Sequence, residues 1–302
     1  MTISVQLEYV PFSPQPDVPF TEESFVRKSV EYQFEPAEIG IALVDLWNFG
    51  WEEGPAGAGL LEEENFERGL SHALRKRAII ENTIAPTVNH LREKGIAIFH
   101  CNHPAFLEKY PQWFESTTDL ERKELEGMWD GSLSTGAMDM SAKAPVYGWP
   151  PTEWVNEWRE KHNRCVWGTS EWLNRQQVTV YPLMGIAPPV QPQDGDLTVF
   201  SQKQFDRLLR ERQIKALFYM GFETDLCVQY SGYGLVNMSD HFQGYNYLCV
   251  IVRDATTTYE TAESLPGLWK TRLAINSIEA NFGYSITSTS LLMSVDDACN
   301  AS

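Results

Sequence analysis

Short apolar runs alternate with segments of helical periodicity along this chain. The first run covers residues 39–45, IGIALVD, and a second covers residues 95–99, GIAIF. Between them, residues 67–94 carry apolar side chains at helical spacing, with Gly95 placed to end a helix and Pro86 placed to kink or break it. Because parallel strands need a crossover of this length, the pattern predicts a parallel sheet covered by helices.

The same alternation resumes in the last third of the chain. The sequence predicts strands at 197–200, 216–221 and 247–252, and helices at 205–212, 227–238 and 268–282. The expected fold class is therefore α/β, a Rossmann-like three-layer fold with a mostly parallel sheet and a large aromatic-rich insertion.

The insertion is expected at about residues 104–193, where the sequence loses its regular periodicity and becomes rich in Pro and Gly. Seven of the ten tryptophans lie there: Trp113, Trp129, Trp149, Trp154, Trp158, Trp167 and Trp172. Since so many indole rings are costly to expose, the segment should fold over the main domain or into a subunit interface. We expect a domain of residues 39–302, preceded by an N-terminal extension of residues 1–38.

Charge and composition exclude several classes of partner. The net charge of −17 disfavours nucleic acids and anionic membranes, which need clustered Lys and Arg. No window approaches the roughly 20 apolar residues of a membrane helix. The opening MTISVQLEYV lacks the pattern of a secretory signal, and five scattered cysteines suit a reduced chain. These features predict a cytoplasmic protein whose partners include neither nucleic acid nor membrane.

Three polar positions coincide with predicted strand ends, where chemistry collects in parallel sheets. They are Asp45, the stretch 201–203 and Cys227. The first turn of a helix raises the thiolate fraction of a cysteine, and a nearby carboxylate can take the thiol proton and later deliver it to a leaving amine. A lysine beside both groups would hold the carboxylate and stabilise negative charge.

Each of these residues also has a structural interpretation. An isolated cysteine such as Cys227 is more often a buried packing residue, and Asp45 is equally suited to cap the segment that follows it. Lys203, next to a helix start on an acidic protein, is typical of a solvated surface group. Glu223 is suited either to a pocket or to complementing the helix dipole.

Three stretches resemble the isochorismatase-like family of cysteine hydrolases: IALVDLWN, GDLTVFSQKQFDRLLRERQIKAL and GFETDLCV. The resemblance covers roughly residues 39–103 and 185–292. It implies an Asp, Lys and Cys triad in which Asp45 is the catalytic aspartate and Cys227 the nucleophile. It also implies a cis peptide bond between Phe222 and Glu223, which orients backbone amides into an oxyanion hole.

The third triad member departs from the family pattern. The family's lysine ends its strand directly, and a strict match of strand length puts Ser201 at that place. Lys203 is the nearest lysine and is the residue we predict for the role, with Ser201 as the alternative occupant of the position.

The metal-binding pattern of nicotinamidase members also differs. They carry an aspartate and two histidines after the second strand, where this chain reads His-Cys-Asn-His-Pro from His100. Cys101 stands where the aspartate would be, and no second histidine follows within reach. We therefore expect no metal and no cofactor, although Cys101 and His103 are metal-competent side chains. His103, Trp47, Glu223 and Thr224 are the predicted substrate-binding residues.

The function predicted is a cysteine hydrolase that cleaves a C–N bond of a small linear amide or ureide through a thioester. One alternative is a vinyl-ether hydrolase of the isochorismate type, although members of that type lack the cysteine. The other is an inactive family member that binds a ligand or partner through the insertion. A homo-oligomer, either a dimer or a tetramer, is expected.

Overall fold

The computed structural model describes residues 2–11, 13, 16–59, 69–128, 148–166, 178–240 and 242–300. Eight strands form one sheet: β1 (Ile3–Tyr9), β2 (Lys28–Phe34), β3 (Ile39–Val44), β4 (Ala97–Cys101), β5 (Leu197–Val199), β6 (Ala216–Phe222), β7 (Leu248–Thr257) and β8 (Tyr284–Ile286). Their order is β2-β1-β8-β7-β6-β3-β4-β5. The predicted α/β fold is confirmed.

Strands β3 to β8 run parallel to one another, β1 pairs antiparallel with β8, and the strand order reverses direction beside β3. From β3 the chain proceeds outward to β4 and β5, then returns to place β6, β7 and β8 on the other side. A reversal of strand order leaves a crevice at the carboxyl ends of the two strands where it occurs. Ligands bind in this crevice in open α/β sheets.

Helices cover both faces of the sheet. Those within the described residues are α1 (Gly69–Ile79), α2 (Ala85–Glu93), α3 (Pro104–Leu107), α4 (Gln112–Ser116), α5 (Asp119–Met128), α6 (Thr152–Val166), α7 (Gln202–Glu211), α8 (Cys227–Tyr230), α9 (Leu235–Ser239), α10 (Trp269–Asn281) and α11 (Ser288–Asn300). Alternate β3 side chains face two cores: Ile41 and Leu43 pack with α2 and α11, and Ala42 and Val44 with α7 to α10. No described helix has the length and apolar character needed to cross a bilayer.

The long helical pattern before Gly95 is divided in two. A π-helical turn, Ile80–Ile84, separates α1 from α2, and Pro86 occupies the first turn of α2. Proline is tolerated there because its missing N–H would have no helical partner. The irregularity predicted at Pro86 thus takes the form of a π-helical turn directly before it, and the backbone stays helical from α1 into α2.

The N-terminal extension adds a hairpin to the main sheet. Strands β1 and β2 pair antiparallel, and β1 joins β8 through Glu8 and Ser285. Side chains of β1 alternate between buried and exposed, as in a half-covered strand. Helix α11 packs on the buried side of β1, which ties the two ends of the chain together.

The described parts of the insertion are mainly helical, and their tryptophans divide into two groups. Trp113 is buried and its ring lies 5.3 Å from that of Phe200. Trp149, Trp154 and Trp158 are exposed. The remaining three, Trp129, Trp167 and Trp172, lie outside the described residues. The insertion thus contributes to the core through α4 while α6 presents aromatic side chains to the surface.

Candidate active site

Asp45 and the turn that carries Cys227 leave the ends of adjacent parallel strands. Val44, the last residue of β3, pairs with Gly221 of β6. Asp45 is buried and has a left-handed backbone with φ of 48°, a conformation that aspartate tolerates better than most residues. Its amide donates to the carbonyl of Cys101 at 3.1 Å, so the residue is held at the β3–β4 edge.

The segment from Phe222 to Cys227 is a tight turn. The Phe222–Glu223 peptide bond is cis, as the family resemblance implied. The Glu223 carbonyl accepts hydrogen bonds from the amides of Leu226 at 3.0 Å and Val228 at 3.2 Å. Thr224 is fully buried and its hydroxyl lies 2.6 Å from that of Thr256, so this side chain fixes the turn. A contact of Thr224 with substrate stays a prediction.

The helix that begins at Cys227 is much shorter than expected. Helix α8 spans four residues and is followed by a turn and then α9, in place of one helix over 227–238. Gly234 lies in the turn, and its close approach to the carbonyl of Gln229 leaves no room for a side chain. A four-residue helix has a small dipole, so little of the field at Cys227 comes from α8.

A buried phenol, Tyr233, lies beside both proposed catalytic groups. Burial, followed by the charges of Asp45 and Cys227, raises the pKa of Tyr233 well above its usual value. Burial and then the charge of Asp45 also raise the pKa of the Cys101 thiol. Both groups are therefore neutral, and Asp45 and Cys227 share one largely apolar neighbourhood in which charges interact strongly.

Aromatic side chains line the region next to Asp45. The indole nitrogen of Trp47 donates to Asn102 Oδ1 at 3.0 Å, and its ring is within 6.0 Å of the rings of Phe49 and Phe106. His103 lies 5.9 Å from Phe106. Trp47 and His103 are both half-buried. The structure thus brings Trp47 and His103 together on one aromatic wall.

The end of the insertion runs against this wall. Residues 46–48 and 185–187 pair in antiparallel fashion, with Asn48 N donating to Gly185 O at 2.9 Å and Ala187 N to Leu46 O at 2.8 Å. The returning segment therefore packs directly beside Asp45. This contact places residues 185–187 against the main domain, while the expectation that the whole insertion folds over that domain stays a prediction.

The profile of the isochorismatase domain family matches residues 63–290 of this chain, which is well over half of it. The chain belongs to the isochorismatase family. A comparison with curated protein sequences found no match.

Solved structures similar to this isochorismatase-family chain include a cysteine hydrolase from Pseudomonas syringae pv. phaseolicola 1448A, with 14% identity, a TM-score of 0.46, and coverage of 88% of this chain and 95% of that one. An isochorismatase-like hydrolase from Alkaliphilus metalliredigens has 14% identity and a TM-score of 0.42, with coverage of 85% and 98%. A nicotinamidase from Staphylococcus aureus has 10% identity and a TM-score of 0.36, with coverage of 83% and 97%.

Neither Lys203 nor Ser201, the two candidates for the family's lysine position, provides a buried ammonium group. Lys203 is exposed on the first turn of α7. Ser201 is the N-cap of the same helix, and its hydroxyl accepts a hydrogen bond from the amide of Gln204 at 3.3 Å. The structure therefore groups Asp45, Cys227 and Glu223, whereas Lys203 faces solvent.

Another lysine, Lys76 of α1, is buried near these residues and was missed from the sequence. Its Nζ lies 3.3 Å from Glu223 Oε1 and 5.4 Å from the ring centre of Trp47. The signal was present in the spacing: Lys76 falls on the helical stripe formed by Ala73 and Ile80, which faces the core. Its flanking arginines made it resemble part of an ordinary basic surface.

The residues after β4 do not fit a metal site. The Cys101 thiol is buried and neutral and donates to Phe99 O at 3.8 Å, so it is no thiolate ligand. His103 Nδ1 accepts the amide of Ala105 at 3.3 Å, and burial lowers the pKa of His103. Across the described ranges, no group of three or more His, Cys, Asp or Glu side chains is arranged to hold a metal.

Proposed function

We propose that this isochorismatase-family protein is a cysteine hydrolase that cleaves the C–N bond of a small linear amide or ureide. The observation that carries the proposal is the placement of Asp45 and the Cys227 turn on paired strand ends, with Val44 opposite Gly221. This arrangement supplies a carboxylate base and a thiol nucleophile at one crevice, which is what stepwise acyl transfer requires.

In the first half-reaction, Asp45 takes the thiol proton while Cys227 Sγ bonds to the substrate carbonyl carbon. The carbonyl electrons move to oxygen, and backbone amides near Glu223 and Cys227 stabilise the oxyanion. When the C–N bond breaks, Asp45 returns the proton to the nitrogen. Ammonia or an amine leaves, and the acyl group remains on sulfur as a thioester.

In the second half-reaction, Asp45 accepts a proton from water as the water oxygen attacks the thioester carbonyl. Collapse of this second oxyanion breaks the C–S bond, and the proton passes to sulfur. The products are a carboxylic or carbamic acid and the free thiol. The aromatic wall of Trp47 and His103 would limit water access and contact the substrate.

The test is turnover of a panel of small amides and ureides, read as released ammonia or amine, by wild type, Cys227→Ala and Asp45→Asn. Cys165→Ala is the matched control, because Cys165 is exposed and lies on α6. We expect turnover by wild type and the control, and a loss of at least about 10³-fold in the other two. A thioester adduct on Cys227 should appear in intact-mass spectra. Full activity in Cys227→Ala would overturn the proposal.

A binding protein without catalysis is the second candidate, and the exposed position of Lys203 favours it. A binding protein would bind an amide saturably, release no ammonia from it, and have an unreactive Cys227. We further propose a cytoplasmic homo-oligomer, a dimer or tetramer. Light scattering coupled to size exclusion tests the assembly, and a monomer mass at micromolar concentration would contradict it.

A further inference from the structure

Lys76 is unusual among the charged side chains of this protein. Within the described ranges it is the one lysine or arginine that is buried, at 2% exposure. An ammonium group removed from water is strongly unfavourable unless anions or π-systems compensate. Here the compensation is Glu223 at 3.3 Å together with the rings of Trp47, Phe49 and Phe222, each with its centre 5.4 Å from Nζ.

The surroundings of Lys76 belong to the two strand ends of the site. Trp47 follows Asp45 by two residues, and Phe222 and Glu223 begin the turn that leads to Cys227. The ammonium therefore lies between the segment that carries the base and the segment that carries the nucleophile, although α1 itself follows β3 in the chain.

A hydrogen-bond relay fixes the anion that Lys76 contacts. His72 Nε2 lies 3.0 Å from Glu223 Oε1, and Arg75 donates to His72 Nδ1 at 2.8 Å. Because the Arg75 guanidinium can only donate, Nδ1 accepts, and Nε2 is the ring nitrogen left to donate to Glu223. Glu223 is thus anchored by side chains one helical turn apart on α1, and its carbonyl in turn holds the amides of the Cys227 turn.

Other sources of positive charge at Cys227 are weak. Lys203 is exposed, Ser201 caps α7, and α8 has only four residues. Lys270 pairs with Asp225 at 2.9 Å and its side chain is one-third exposed, so solvent screens its charge more than that of the buried Lys76. Among the described residues, the titratable and charged groups around the turn include Asp45, Cys101, Tyr233, Asp225 with Lys270, and Glu223 with Lys76, His72 and Arg75.

We propose that Lys76 supplies the positive charge of this site from helix α1, in place of a lysine at the end of β5. It acts as a positioning residue: it holds the Glu223 carboxylate, and through it the Cys227 turn, and its charge stabilises the anionic form of the Asp45 and Cys227 pair. The inference rests on the proposed function, since it assigns a role within that site.

The test is the pH dependence of Cys227 alkylation by iodoacetamide, followed by peptide mass spectrometry in the full chain. Lys76→Met removes the positive charge at similar length, Glu223→Gln removes the negative charge, and Lys203→Met is the matched control. Lys76→Met should move the alkylation midpoint up by about one pH unit, and Glu223→Gln should move it down. Lys203→Met should leave it unchanged.

Opposite shifts of the alkylation midpoint in Lys76→Met and Glu223→Gln would distinguish an electrostatic role of Lys76 from a packing role. A purely structural Lys76 would alter melting temperature but leave the midpoint in place, and that result overturns the inference. If Lys76→Met does not fold, as judged by circular dichroism, the downward shift in Glu223→Gln decides alone, and no shift overturns the inference. An ordinary thiol midpoint near 8.5 in wild type would instead contradict the proposed function itself.

Discussion

Gly221 faces Val44 so closely that a Cβ atom on Gly221 would overlap the Val44 carbonyl oxygen. Gly221 also has a φ of 127°, a backbone conformation that only glycine adopts readily. These two residues are the paired ends of β3 and β6, directly before Asp45 and the Cys227 turn. The close approach of the two strands therefore sets the distance between the proposed base and nucleophile.

Gly221→Ala should destabilise the protein by about 3 kcal/mol or more, because the new methyl group meets backbone atoms that cannot yield. Gly244→Ala is the control. Gly244 also has a positive φ, of 88°, but open space surrounds it, so only about 1 kcal/mol is expected. Urea unfolding measures both, and equal losses would contradict the role of the strand contact.

Trp113→Ala should destabilise the protein by about 3 to 5 kcal/mol, since the ring is buried against Phe200 and its removal leaves a cavity. Trp154→Ala is the matched control on the exposed face of α6, with an expected change within about 0.5 kcal/mol. Thermal unfolding monitored by circular dichroism gives the comparison. Similar melting temperatures for the two variants would show that α4 is not part of the core.

Protonation of Asp196 should make the protein less stable in acid. Burial raises the pKa of Asp196, but hydrogen bonds from His100 at 3.0 Å and Arg92 at 2.8 Å outweigh it and hold the pKa at about 2. Because the folded pKa is below the unfolded one, about 2 kcal/mol of stability is present above pH 4 and is lost as the pH falls toward 2.

The measurement for Asp196 is urea unfolding of wild type, Asp196→Asn and the exposed control Asp194→Asn between pH 2 and pH 7. The gap between wild type and Asp196→Asn should be widest at neutral pH and shrink below pH 4. Burial also lowers the pKa of His100, which adds a loss of stability in the same direction below about pH 6.5. A difference in stability between wild type and Asp196→Asn that stays constant with pH would contradict the lowered pKa of Asp196.

Ser201→Ala should cost about 1 kcal/mol by removing the cap of α7, whereas Lys203→Ala should change stability by less than about 0.5 kcal/mol. Ser201→Thr keeps a hydroxyl and should restore most of the loss. Denaturant unfolding of the three variants separates a capping role from a catalytic one, since an unchanged Ser201→Ala protein would leave that hydroxyl without a structural purpose.

Alkylation of the native protein should divide the cysteines by burial. Cys101 and Cys249 are buried, and burial is the leading cause that raises the pKa of each thiol, so both should stay unmodified until the chain unfolds. Cys165, Cys227 and Cys299 should react in the native state. Peptide mapping after brief treatment at pH 7 provides the readout, and rapid labelling of Cys249 would show that the sheet opens locally.

The sequence by itself determined the parallel sheet and the location of Asp45 and Cys227, because strand ends and tight turns are marked by short-range patterns. IGIALVD ends in a polar residue that a buried strand does not continue, and the run before Gly221 extends by only one residue, Phe222, beyond that glycine. Residues 3–9 alternate between apolar and polar side chains, which is the pattern of β1. This strand belongs to the main sheet, although residues 1–38 were expected to form a separate extension.

Only the tertiary structure decided which charges lie near the nucleophile. Lys203 is close to the family's lysine position in sequence yet faces solvent, whereas Lys76 is separated from Cys227 by about half the chain and is buried beside its turn. Residue order fixes local conformation, but the neighbours of a buried charge depend on how helices and strands pack. An ammonium within the basic run of α1 acquires its partners only when α1 docks against the ends of β3 and β6.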